Sequence, residues 1–149
     1  MEIKEFEFDD MLRVCISLNI SEHKLSTLFF KDNTEAFALE NNDKEIVGLC
    51  VYRAWYKFNR ITRIRLKLLV IRERDQRKGF GSILLNQLKL MCTSNECMLS
   101  CNVLEENLVF QLFLRENGVR ATRIKDGIIS FSFNEAIECS GAFPVHNSP

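Results

Sequence analysis

Histidine, proline and tyrosine are scarce in this chain, with two of each among 149 residues. His23 and His146 have no metal-ligand spacing to a cysteine, which argues against a zinc site and against a Ser-His-Asp triad. CxxC pairs are missing as well. The six cysteines, at positions 15, 50, 92, 97, 101 and 139, sit mostly in apolar runs and read as free core thiols in a reducing cytosol. No apolar stretch reaches the roughly 18 residues that a membrane helix needs. The opening MEIKEFEF is charged and short of apolar residues, so it is not expected to be a signal peptide. Net charge is absent too. Twenty Lys and Arg balance twenty Asp and Glu, which argues against general electrostatic binding to nucleic acid or to an anionic membrane.

What is present is a core and a pattern. The hydrophobic fraction of 46% and twelve phenylalanines suit one domain that needs no disulfide or metal to hold it. We expect that domain over residues 1–137 and a patternless tail over 138–149, where both prolines fall. Residues 2–8 alternate and predict a strand. Asp9 or Asp10 then caps a helix to Leu18, and Ser21 caps another from Glu22 to about Lys31. Residues 35–41 and 45–55 flank a polar loop and predict a hairpin. Residues 61–71, ITRIRLKLLVI, begin by alternating and end in four apolar residues, which predicts a central strand whose last part is buried on both faces. Phe80, Leu84, Leu88 and Met91 recur at helical spacing to about Cys92. Residues 97–103 alternate again. Asn107 caps a helix that Gly118 ends, and Asp126-Gly127 turns a last hairpin between Val119–Lys125 and Ile128–Phe133. The expected class is α/β (α+β), a mixed central sheet in the order βααβββ-α-β-α-ββ.

Between the central strand and its following helix lies RDQRKGFGS, residues 74–82. Residues 57–78 hold nine basic side chains against Glu73 and Asp75. A helix N-terminus offers unpaired N–H groups and partial positive charge, and glycine lets an anion approach the backbone. Arg77 and Lys78 add charge at the mouth. The stretch is therefore a phosphate cradle or a solvated turn. It is not a P-loop, which needs GxxxxGK before Ser or Thr. It is not a dinucleotide fingerprint either, because Leu84 occupies the third glycine position.

Gln76-Arg77-Lys78-Gly79-Phe80-Gly81 resembles the acyl-CoA pyrophosphate motif Q/R-x-x-G-x-G/A of the GNAT superfamily of N-acetyltransferases. VLEEN (103–107) and NLVFQLFLRENGV (107–119) resemble the family's V-x-E-x-N strand end and its following helix, and the likeness covers roughly residues 2–135. Members like the ribosomal-protein alanine N-acetyltransferases are nearest in pattern. The resemblance implies acetyl-CoA as co-substrate, without a metal, and an amine acceptor such as a protein N-terminus. It implies that Leu69, Val70 and Ile71 contact the pantetheine and acetyl group through their backbone. The amides of Arg77, Lys78, Gly79, Phe80, Gly81 and Ser82 would hold the pyrophosphate, Asn107 would contact the CoA arm, and Glu105 would be the general base. An acid before a capped helix also serves the helix dipole, so both roles stand for Glu105. Two departures are visible. The family's proton-donating tyrosine is replaced by Leu114, and the Pro-Trp-Ser cluster of N-terminal acetyltransferases is missing. A catalytically silent acyl-CoA binder and a small-molecule amine acetyltransferase are the alternatives. A module that binds nucleic acid or an acidic partner through the 57–78 run is a third. Aromatic residues Tyr52, Trp55, Tyr56 and Phe58 either pack or wall an acceptor pocket.

Overall fold

The computed structural model describes residues 1–134. The expected tail over 138–149 lies outside the described residues, as does Cys139. Seven strands and four helices follow each other in the expected order. They are β1 (Glu2–Glu5), α1 (Met11–Leu18), α2 (Glu22–Phe29), β2 (Thr34–Glu40), β3 (Ile46–Lys57), β4 (Arg60–Ile71), α3 (Phe80–Asn95), β5 (Met98–Leu104), α4 (Leu108–Glu116), β6 (Arg120–Lys125) and β7 (Ile128–Phe133). The strands form one mixed sheet in the order β1-β2-β3-β4-β5-β7-β6. Contacts divide the chain into two compact units. The first joins Met1–Ala54 with Arg65–Gln87, and the second joins Trp55–Ile64 with the chain from Leu88 onward.

In the first unit, α1 and α2 close over the antiparallel β1, β2 and β3. Met11, Val14, Cys15, Leu18 and Leu25 meet Ala38, Ile46, Leu49 and Val51, while Phe6 stacks on Phe29 at 5.4 Å. β1 is shorter than the alternation suggested. Phe8–Asp10 winds into a 3-10 turn because the Asp10 carboxylate accepts from the Glu7 amide at 3.2 Å. Asp10 therefore caps this turn and makes no side-chain cap on α1. Ser21 caps α2 as expected, its hydroxyl accepting from the Lys24 amide at 3.0 Å. Glu40 is buried between Arg13 at 2.9 Å and Lys4 at 3.2 Å. Burial works against its charge, but the two cations win and hold its carboxyl below the usual range.

The second unit holds a buried set from the later elements. Cys92 of α3, Leu99, Cys101 and Val103 of β5, Leu114 of α4, and Ile129, Phe131 and Phe133 of β7 are all buried. Lys89 donates to the Asn117 carbonyl at 2.6 Å and lies over the Phe133 ring at 4.8 Å, placing a cation at the C-terminus of α4. The Asp126-Gly127 turn has φ of 54° and 77°, as a type I′ hairpin requires. The β3–β4 hairpin uses the same geometry at Phe58 and Asn59, with φ of 53° and 62°. Cys15, Cys50, Cys92, Cys97 and Cys101 are buried. Burial pushes the Cys92 and Cys97 thiols up, which leaves them poor nucleophiles. Among the described residues no helix is long and apolar enough to cross a membrane.

Candidate acyl-CoA site

The first unit gathers Leu69, Val70 and Ile71 at the end of β4 with the whole of Gln76–Ser82. The strand end differs from expectation. Leu68, Leu69, Val70 and Ile71 are all half-buried, whereas earlier in the strand Ile64 and Leu66 are buried. The apolar end thus keeps part of its surface exposed, although Leu68 and Val70 pack against the core that α1 and α2 line. Beneath it, β3 approaches closely at Gly48. A Cβ there would stand 2.9 Å from Ile71 Cδ1 and 3.4 Å from the Val70 carbonyl oxygen.

The loop that follows is held from inside. Asp75 is buried and bonded to the Arg72 guanidinium, and it pairs with Lys78 at 3.3 Å. The Arg72 hydrogen bond, opposed by burial and helped by Lys78, holds the Asp75 carboxyl below its ordinary range. Gln76 turns back and donates to the Ile71 carbonyl at 3.1 Å. These two residues help to hold the turn, and Lys78 spends part of its charge inside the loop. Arg77 is exposed, with no ion pair among the described residues.

The backbone then reverses hand twice. Arg77 has φ of 64° and Gly79 has φ of 85°. Successive changes of hand aim neighbouring N–H groups into one concavity, an anion nest. A Cβ on Gly79 would meet nothing within 4 Å, so the space beside that residue is open. Gly81 is not left-handed. It lies in the first turn of α3, and Arg77, a residue type that seldom adopts positive φ, takes the second left-handed position. The Ile83 amide donates to the Gly79 carbonyl at 3.2 Å, which starts the helix. Phe80, Gly81 and Ser82 are thus first-turn residues whose amides have no intrahelical acceptor.

Asp75 predicts an acid response. Its folded pKa lies below the unfolded value of about 3.9, so its stabilisation is present above that value and is lost as pH falls through the folded pKa. Thermal unfolding should show Asp75→Asn melting below the parent at pH 7. The gap should narrow as pH drops from about 5 to about 3. A gap independent of pH would remove the ion pair as the cause.

The second unit holds Glu105 and Asn107. Glu105 is exposed just past β5, and its amide donates to the Gly127 carbonyl at 2.8 Å. Asn107 caps α4, its side chain accepting from the Phe110 amide at 3.2 Å. Gln111, which the sequence did not single out, is buried and donates to the Leu104 and Glu105 carbonyls at 3.2 and 2.8 Å. That pair of bonds fixes the backbone carrying Glu105. Leu114 is fully buried, and Phe110 stacks on Phe113 at 5.7 Å. Tyr52 is also packed away. It lies against Phe37 at 5.6 Å and donates to Glu35 at 3.3 Å. Trp55 stacks under Arg63 at 3.9 Å, and Phe58 stands exposed at its hairpin tip.

Solved structures share this fold. The ribosomal-protein-S18-alanine N-acetyltransferase of Escherichia coli matches with a TM-score of 0.69 and 16% identity, over 89% of this chain and 92% of its own. The paia N-acetyltransferase of Thermoplasma acidophilum, solved with coenzyme A, matches at 0.71 and 14% identity, over 89% and 98%. A spermidine N-acetyltransferase chimera from Vibrio cholerae and hSSAT matches at 0.71 and 18% identity, over 94% and 99%. No curated protein sequence matches the chain. The family model of the Acetyltransferase (GNAT) family matches residues 4–118, most of the length, and the chain belongs to that family.

Proposed function

We propose that the chain moves an acetyl group from acetyl-CoA to a primary amine by direct transfer, with a protein N-terminal amine as the acceptor. The open left-handed nest at Arg77 and Gly79, set before the free amides of α3, carries this reading. The CoA pyrophosphate accepts hydrogen bonds from the amides of Arg77 to Ser82, with Arg77 as the uncommitted cation. The pantetheine lies along the half-exposed Leu69, Val70 and Ile71 and pairs with their backbone like an added strand. Asn107 meets the CoA arm. Glu105 takes the ammonium proton, directly or through water, because only the neutral amine attacks. Backbone donors hold the tetrahedral oxyanion, and the CoA thiolate leaves. An α-amine of pKa about 8 needs less help than a lysine near 10.4, which favours the N-terminal acceptor. The fold neighbours range from a ribosomal-protein alanine acetyltransferase to a spermidine acetyltransferase, so the acceptor must be found by screening.

Calorimetric titration tests the donor side. Acetyl-CoA should bind and ATP should not, because ATP offers phosphates without a pantetheine. Gly79→Val should weaken acetyl-CoA binding about tenfold or more, since a β-branched residue resists positive φ and crowds the nest. A folded protein that ignores acetyl-CoA would overturn the reading. Binding without transfer to any peptide or small amine in a mass-spectrometric screen would favour the silent binder, to which the burial of Leu114 already lends weight.

A further inference from the structure

Among the described residues the sheet ends on an edge strand with no further partner. β6 closes the strand order, and all six of its residues are exposed. Pairing with β7, and of β7 with β5, sorts the side chains into rows. Leu104, Ile128 and Lys125 form one row and Asn102, Ser130 and Arg123 the next, on one face of the sheet. Val103, Ile129 and Ile124, then Cys101, Phe131 and Ala121, lie on the other.

The two faces of β6 differ in chemistry. On the first, Arg123 projects beside Ser130 and Asn102, and Lys125 beside Ile128 and Leu104. No Asp or Glu occurs anywhere in β5, β6 or β7. Neither Arg123 nor Lys125 has an ion pair among the described residues. The second face is the buried one at Phe131 and Ile129, but cover stops short of β6. Ile124 remains 64% exposed. Arg115 lies over Phe131 at 5.9 Å, and Phe131 pairs with Ala121. That turns the Leu108–Leu112–Arg115 stripe of α4 toward β6. Leu108 and Leu112 are 69% and 58% exposed, an apolar step on that stripe.

We propose that β6 is a docking edge for an extended acidic polypeptide in which carboxylates alternate with apolar side chains. Such a segment adds as a strand to the free edge, and its period of two sends one set of side chains to each face. Carboxylates meet Arg123 and Lys125, and apolar residues cover Ile124 and Leu112. A second copy of this chain does not fit the edge, because β6 against β6 sets cations against cations. Nucleic acid suits the cations but leaves the apolar step uncovered. The pairing run is Arg123–Lys125. Thr122 is an extra residue between Ala121 and Arg123, and its hydroxyl donates back to the Ser130 carbonyl at 3.1 Å. The proposal does not depend on acetyl transfer.

The probe is a ten-residue peptide of alternating Glu and Val, acetylated and amidated so that it offers no amine. It is titrated against the full chain by calorimetry. Binding should weaken with salt and fall about tenfold or more in Arg123→Glu/Lys125→Glu, a change at exposed positions. Ile124→Asp should weaken it too, through the other face. Hydrogen exchange at the β6 amides should slow in the complex. Equal binding by a peptide with five Glu followed by five Val would overturn the proposal, because it would mean charge attraction without strand addition. Unprotected β6 amides would overturn it as well, as would tighter binding by a ten-nucleotide single strand.

Discussion

Replacing Glu105 with glutamine is expected to lower acetyl transfer by about 10²–10⁴ while acetyl-CoA affinity stays nearly unchanged. The asymmetry follows from the proposed roles: the amides of Arg77 to Ser82 and the Arg77 side chain would bind the nucleotide end, and the Glu105 carboxylate would act only on the amine. Glutamine keeps the shape and the backbone bonds to Gly127 and Gln111 but accepts no proton from the amine. Single-turnover rates and calorimetry on the same preparation separate the two effects. The competing role predicts another pattern. A carboxylate that only serves the dipole of α4 contributes about 0.3–1 kcal/mol. Glu105→Gln would then shift the melting temperature slightly and leave the rate alone. A raised acceptor pH should partly rescue the variant if Glu105 is the base, because more of the amine is already neutral. Equal rates in parent and variant would remove Glu105 from the mechanism.

Much of this architecture is legible in local pattern. Ser21 and Asn107 cap their helices as their residue types suggest, and Asp126-Gly127 takes the turn that this pair favours. The element order follows from periodicity, and so does the placing of glycines between a strand and a helix. What escapes is decided by tertiary contact. Arg77 is left-handed in a loop that Asp75, through Arg72 and Lys78, and Gln76, through the Ile71 carbonyl, hold from inside, although arginine does not prefer that region. Phe58 and Asn59 make a type I′ turn without glycine, so nothing local announces it. Four apolar residues at the end of β4 suggest full burial, yet all four are half-buried. Gln111 looks like a surface residue in a helix and instead fixes the Glu105 backbone from within. The candidate site was therefore readable as a motif. The supporting bonds of Asp75, Gln76 and Gln111 were not, because each forms only once the folded backbone brings donor and acceptor together.

Leu114→Ala should destabilise the protein by about 2–5 kcal/mol, which is a drop of roughly 5–15 °C in melting temperature for a chain of this size. Leu114 is fully buried, and its carbonyl accepts from the Asn117 and Val119 amides at 3.1 and 2.9 Å where α4 ends. Truncation leaves a cavity that a helix terminus tied on that side cannot readily collapse. The same burial bears on the missing proton donor. Leucine carries no proton, so its removal should leave turnover per folded molecule within about twofold, measured well below the melting temperature. In the proposed transfer a thiol of pKa about 8.5 would leave as thiolate with modest help near neutral pH. Leu114→Tyr is the sharper comparison. A ring and a hydroxyl forced into a closed core cost about 1–3 kcal/mol, with a further penalty if the hydroxyl finds no partner. We expect that variant to melt lower and turn over no faster. Faster turnover would mean that the hydroxyl reaches the sulfur and that the chain lacks only its acid. A loss of rate in Leu114→Ala at unchanged stability would place the leucine against the reacting atoms instead of in the core.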